Sequence, residues 1–177
     1  MSTYEREDDI KNAIASTMSD DFILSPEVWG NCIIDGTRVR IDFMAYPKQH
    51  LIDLGFDAQW FGIEAKSLLR RDGNPIHGLG KINQLIWQVI SYAQSTFNID
   101  QARIRPMFVL ICTDRVPYEY CKEWKTLIGL AQYGNVGMLD LAPRWSIHFS
   151  NALYFASEFG KGGCANVGTI RYVGCVV

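Results

Sequence analysis

Arg38-Val39-Arg40-Ile41-Asp42-Phe43 and the run Phe61-Gly62-Ile63-Glu64-Ala65-Lys66-Ser67, whose Glu64 lies 22 residues after Asp42, decide how this chain reads. In both, apolar and polar residues alternate, which is the period of a strand with one buried face. Val39, Ile41 and Phe43 fall on one side of the first stretch, with Arg38, Arg40 and Asp42 on the other. In the second, Phe61, Ile63 and Ala65 oppose Gly62, Glu64 and Lys66. Each strand thus carries a carboxylate on the side away from its apolar residues. Lys66, two residues beyond Glu64, shares its side. Asp35-Gly36, between Cys32-Ile33-Ile34 and the first stretch, predicts a hairpin with a two-residue turn.

Outward from these strands, Ile10, Ala13, Ile14 and Met18 recur at helical spacing, and Ser2-Thr3-Tyr4-Glu5 has the spacing of a capping box. A helix is expected over about residues 3–19. Ser25-Pro26-Glu27 reads as a cap with proline at the first position of a short helical turn. Residues 47–59 have no period and read as an excursion between strands. Arg71-Asp72-Gly73-Asn74-Pro75 is a loop, followed by a long helix over about 79–97. Pro106 to Cys112 is uninterrupted apolar sequence, as expected of a strand buried on both faces. A helix over 117–132 and a strand over 136–141 follow. The tail offers a hairpin from 145–155 to 169–176 across Gly160-Lys161-Gly162-Gly163, a run without Walker spacing. The expectation is an α/β chain in which α and β are mixed, a central mixed sheet being flanked by helices. One domain spans 1–177, with an αβββαβ core over about 3–114 and an αβ(ββ) extension over about 115–177.

Composition narrows the chemistry. With 48% apolar residues, the chain can bury a sizeable core. No apolar run reaches the ~18 residues of a membrane helix, and the polar, acidic stretch Met1 to Asp9 is unlike a secretory signal. The five cysteines show no CxxC spacing and read as reduced thiols in the cytoplasm. His50, His77 and His148 lack zinc-ligand spacing. Trp60 and Trp87 read as core residues. A net charge of −2 gives no global field for nucleic acid, but Lys66, Arg70, Arg71 and Lys81 against Asp72 make a locally basic stretch.

Hydrolysis of a phosphodiester needs charge neutralisation at the phosphate and a water made nucleophilic, and a divalent metal provides both. Mg²⁺ takes hard oxygen ligands, usually one or two carboxylates with waters and substrate oxygens. Asp42 and Glu64 supply two carboxylates, and the Lys66 ammonium beside them would orient a water or stabilise developing charge. Glu7 lies three and seven residues before Ile10 and Ile14, on their inward stripe. Lys81, Gln84, Gln88 and Tyr92, at i, i+3, i+7 and i+11, form a polar stripe on an otherwise apolar helix. Such a stripe must find partners.

Asp42, Glu64-Ala65-Lys66 and Gln88-Val89-Ile90-Ser91-Tyr92-Ala93 together resemble the PD-(D/E)XK nuclease superfamily, and the Gln-x-x-x-Tyr element is similar to its RecB-like exonuclease branch. The resemblance covers about residues 3–114. The proline that names the motif is absent, since Asp42 follows Ile41, and the Asp-to-Glu interval implies an insertion around 47–58. The resemblance implies a restriction-endonuclease-like core. It assigns Mg²⁺ or Mn²⁺ to Asp42, Glu64, the Ala65 carbonyl and a first-helix glutamate, here Glu7. It gives catalytic roles to Lys66, Gln88 and Tyr92, with DNA met by Arg70, Arg71, Lys81 and Gln84. DNA is the expected partner ahead of RNA, a homodimer is compatible, and no membrane is involved. The rival expectation is a nuclease-like fold without activity that binds nucleic acid or a protein.

Overall fold

The computed structural model describes residues 6–68, 78–114, 121–149, 152–158 and 160–162. The first helix, α1 (Glu7–Met18), buries Ile10, Ile14 and Met18. The expected cap at Ser2 to Glu5 lies outside the described residues. The observed start is at Arg6, whose backbone N–H donates to Asp9 Oδ2 at 2.9 Å. The chain then runs through β1 (Phe22–Cys32) and β2 (Arg38–Pro47), a short α2 (Gln49–Asp53), β3 (Phe61–Lys66) and α3 (Gly78–Ala93). Next come β4 (Ser95–Ile99), β5 (Ala102–Ile104), β6 (Val109–Thr113), α4 (Cys121–Ala131) and β7 (Val136–Asp140). The described chain closes with β8 (Ser146–Phe149), β9 (Ala152–Ala156) and β10 (Gly160–Lys161).

This is a mixed α/β protein. Among the described residues, ten strands form one sheet in the order β10-β9-β8-β7-β6-β3-β2-β1-β4-β5. The neighbours β3/β6 and β6/β7 are parallel, and the other pairs are antiparallel. Successive residues of β6 show why its sequence is uniformly apolar. Leu110 and Cys112 join the core under α1, while Val109 and Ile111 join the core under α3 and α4. A strand covered by helices on both faces has no polar side. Among the described residues, no helix is long and apolar enough to cross a membrane.

Several elements depart from the sequence expectation. Ser25-Pro26-Glu27 lies inside β1, not in a helical turn, with Pro26 opposite Phe43 in the ladder. The β1–β2 loop spans 33–37, longer than a two-residue turn. It is closed by Cys32 N–H to Thr37 C=O (2.8 Å) and Gly36 N–H to Cys32 C=O (3.0 Å), with Gly36 at φ 72°. The long helix stops at Ala93, and beyond Gln94 the five residues of β4 alternate. Ser95, Phe97 and Ile99 are buried between the half-exposed Thr96 and the exposed Asn98, and the segment pairs with β1. The tail hairpin is formed within 146–156, and Gly160–Lys161 adds a short strand to it; residues 169–176 lie outside the described residues. The excursion at 47–59 has a packing role, since it delivers Leu51 and Phe56 to the core.

The alternation in β2 also breaks. Phe22 and Leu24 of β1, with Phe43 and Ala45 of β2, pack on the α1 side. Val28 of β1, with Val39 and Ile41 of β2, packs on the α3 side although each keeps the same parity. The register is unchanged across the break, Pro26 facing Phe43 and Val28 facing Ile41. Glu27, at φ 53°, and Asp42 stand between those pairs. Both strands turn over at this point, and a turnover by one residue exchanges the faces of everything beyond it. Phe43 is therefore not on the side of Val39 and Ile41.

Candidate functional site

The site begins where β2 and β3 part. Their ladder holds three pairs, Phe43↔Ile63, Met44↔Gly62 and Ala45↔Phe61, whereas β3 stays paired with β6 as far as Lys66. In the gap, Asp42 Oδ2 accepts the Ala65 N–H at 2.9 Å, replacing a ladder acceptor. In an extended strand the N–H and C=O of one residue point to the same neighbour, so the Ala65 carbonyl also faces this gap. Gly62 leaves room for Ile41 and Val109 to pack over β3. A Cβ there would collide with Ile41 Cδ1 and lie 3.2 Å from Val109 Cγ2.

Glu64 is 4% exposed. One oxygen, Oε1, accepts from Gln88 Nε2 at 2.8 Å; the other, Oε2, is buried with no hydrogen-bond partner. Burial, reinforced by the charge of Asp42 and opposed by Lys66, pushes the Glu64 carboxyl up to about 8. Gln88 Nε2 also donates to Tyr92 Oη at 2.6 Å, and Tyr92 Oη donates to the Arg40 carbonyl at 2.8 Å. Gln88 and Tyr92 are one helical turn apart, which brings the two side chains together. Burial and the nearby Glu64 raise the Tyr92 phenol to about 12, so it remains a donor.

Cations line the other side. Lys66 Nζ pairs with Glu7 Oε2 at 3.0 Å. Lys11 pairs with Asp42 and, at 3.1 Å, with Glu27. Burial would lower the Lys11 ammonium, but those two pairs outweigh it and lift it above the usual lysine range. Arg40 Nη1 reaches the second Glu27 oxygen at 2.7 Å. Glu27 holds a left-handed backbone that costs a non-glycine residue roughly 1–3 kcal/mol, and its two cationic partners hold it there.

Glu7, Asp42, Glu64, Lys66, Gln88 and Tyr92 line one open cleft of about 460 Å³, together with Lys11, Arg38 and Arg40. Six of the residues singled out in the sequence therefore converge, and Ala65 lies beside them through its bond to Asp42. Lys81 is half-buried and Gln84 exposed on α3, and neither lines the cleft. Arg70, Arg71 and His77 lie outside the described residues. Trp87 is not core, being 71% exposed. Trp60 packs against the α3-side core.

Five residues at or near the site escaped the sequence reading: Lys11, Glu27, Asp114 and the cleft-lining Arg38 and Arg40. Lys11 follows Glu7 by one helical turn, and that spacing was the available signal. Glu27 was hidden by reading its segment as a turn. Asp114, just past β6, is buried and accepts Ser67 Oγ at 2.6 Å and the Leu68 N–H at 2.7 Å. It thus anchors the chain as it leaves Lys66. Nothing local marks Asp114, because its partners are 46 and 47 positions away.

Among the described residues, no group of three or more His, Cys, Asp or Glu side chains is arranged to hold a metal ion. Asp42 and Glu7 are each engaged by a lysine. The donors that do converge are all oxygens, namely two carboxylates and a strand carbonyl. The unpartnered Glu64 Oε2 among them is the atom that fits a hard cation best. Comparison with family models, with curated proteins and with solved structures finds no match for this chain.

Proposed function

We propose that this cleft is the site of a Mg²⁺- or Mn²⁺-dependent nuclease acting on DNA, built on a restriction-endonuclease-like core. The observation that carries the reading is the convergence, at the parting of β2 and β3, of Asp42, the buried Glu64 with its unpartnered oxygen, and the Lys66 ammonium. Asp42, Glu64 and the Ala65 carbonyl would hold the ion. A bound divalent ion supplies charge neutralisation at the phosphate and acidifies a water.

The chain's own residues supply the rest. Lys66 stabilises negative charge as it develops and orients the attacking water, and Glu7 holds the lysine in place. In this reading Glu7 positions the lysine and is not a ligand. Gln88 fixes one Glu64 oxygen, so the unpartnered oxygen would be the one to hold the ion, while Tyr92 fixes Gln88 against the Arg40 carbonyl. The Glu64 proton must leave when the carboxylate takes a cation. Lys11 pairs with both Asp42 and Glu27, so it would keep Glu27 as a partner if an ion took its place on Asp42.

A second reading rests on that same lysine. Lys11 already neutralises Asp42, so the fold could bind nucleic acid or a protein with no metal and no cleavage. Cleavage of plasmid and of end-labelled DNA in Mn²⁺ decides between them. Asp42→Ala and Lys66→Ala are each expected to lose at least about a thousandfold in rate with unchanged circular dichroism. Wild-type rates in both variants, or no metal-dependent cleavage by the parent protein, would overturn the nuclease reading.

A further inference from the structure

Beyond the turnover at Glu27 and Asp42, the β1–β2 arm is covered by hydrophobic residues on the α3 side only. Its opposite face carries Trp29, Arg38 and Arg40. Trp29 stands across the ladder from Arg40, and Arg38 is one strand period along. The Arg38 guanidinium lies 4.0 Å from the Trp29 ring centre and that of Arg40 lies 5.6 Å from it. Trp29 nonetheless stays 46% exposed. Arg38 forms no ion pair among the described residues, and both arginines line the cleft that holds Asp42 and Glu64. A cation left without a carboxylate, a large aromatic left open, and a continuous path to the carboxylates form one ledge.

From this ledge we infer the substrate form: a single-stranded stretch of DNA, with Arg38 and Arg40 on phosphates beside the reacting one and an unpaired base stacked on Trp29. The inference rests on the nuclease reading and adds strandedness to it. Backbone phosphates are common to single and double strands, so the arginines alone would not discriminate. The tryptophan does, because an aromatic platform gains only from a base whose face is free, and duplex bases already cover one another. The guanidinium groups of Arg38 and Arg40 over the ring restrain it, so less side-chain freedom is lost when a base arrives than at an unsupported tryptophan. The ledge also supplies the basic contact that Lys81 and Gln84, lying away from the cleft, do not.

The test is fluorescence anisotropy in EDTA with a labelled single-stranded oligonucleotide and the same sequence as a blunt duplex. Binding then needs no catalysis. The full-length wild-type protein is expected to prefer the single strand by roughly tenfold, on the scale of one stacked base. Trp29→Ala should remove most of that preference, while Trp29→Phe keeps part of it. Arg38→Ala should weaken both ligands and lower the salt slope by about one. Equal affinity for the two ligands, or a single-strand preference untouched by Trp29→Ala, would overturn the ledge. Loss of preference in Trp29→Ala in a protein that cleaves nothing would keep the ledge and sink the nuclease. Metal-dependent cleavage with unchanged binding in Trp29→Ala and Arg38→Ala would do the reverse.

Discussion

The two ends of β3, Phe61 and Lys66, lie five residues apart in unlike surroundings. Phe61 is fully buried, its ring 5.3 Å from Phe22, 5.7 Å from Phe56 and 5.1 Å from Phe108. Trp145, Phe149, Tyr154 and Phe155 extend the same core from the C-terminal hairpin. Lys66, at the other end, faces Glu7 across an open cleft whose walls are almost all charged or polar. The aromatic end is redundant in contacts and gains its stability from area and packing. The polar end is not satisfied by the protein alone, since a buried carboxylate oxygen has no partner there. One strand thus joins a region that holds the fold to a region of paired polar groups in which one buried oxygen, Glu64 Oε2, has no hydrogen-bond partner.

The largest change in stability should come from breaking the aromatic end. Phe61→Ala is expected to cost about 3–5 kcal/mol in chemical denaturation, through lost transfer energy and the cavity left among rings that cannot close over it. A loss of under about 1 kcal/mol would show that the cluster is looser than its ring distances imply.

A smaller effect, of opposite sign, is expected at the polar end. The Glu64 carboxyl sits near 8 in the folded protein against about 4.5 in the unfolded chain. Between those values the folded state holds a proton that the unfolded state has lost. Folding stability in EDTA therefore falls as pH rises from about 4.5 to about 8, and levels off above that. Glu64→Gln removes the dependence. The variant should match the parent near pH 5 and exceed it at pH 8 by on the order of a few kcal/mol, less whatever relaxation the site allows. Parallel stability–pH curves for the two proteins would refute a burial-raised Glu64.

The same contrast explains what could be read from the sequence. Glu64, Lys66, Gln88 and Tyr92 were legible because strand and helix periods alone place each on a definite side of its element, whereas Asp42 was legible as a carboxylate within an apolar strand although the alternation of β2 breaks there. Glu7 was legible from the Ile10 and Ile14 stripe. The long β1 was not, because Pro26 in a strand and a left-handed Glu27 break local rules. Those departures are tolerated through the Lys11 and Arg40 pairs, which only the tertiary structure reveals. Ser95 to Ile99 was lost to the helix because its strand identity comes from pairing with β1, a neighbour far back in the chain. The stretch 145–155, expected as one strand, is instead two, because β8 and β9 pair with each other within 146–156. Lys81 and Gln84 share a stripe with Gln88 by spacing, yet the cleft ends before it reaches them.

Calorimetric titration of the wild-type protein with Mn²⁺ at pH 7, in two buffers of different ionisation heat, most directly tests the claim that the polar end of β3 is a metal site. One ion is expected to bind, with release of about one proton as Glu64 gives up its hydrogen, and both signals should vanish in Asp42→Asn and Glu64→Gln. Absence of binding, or binding that survives both substitutions with no proton released, would contradict it.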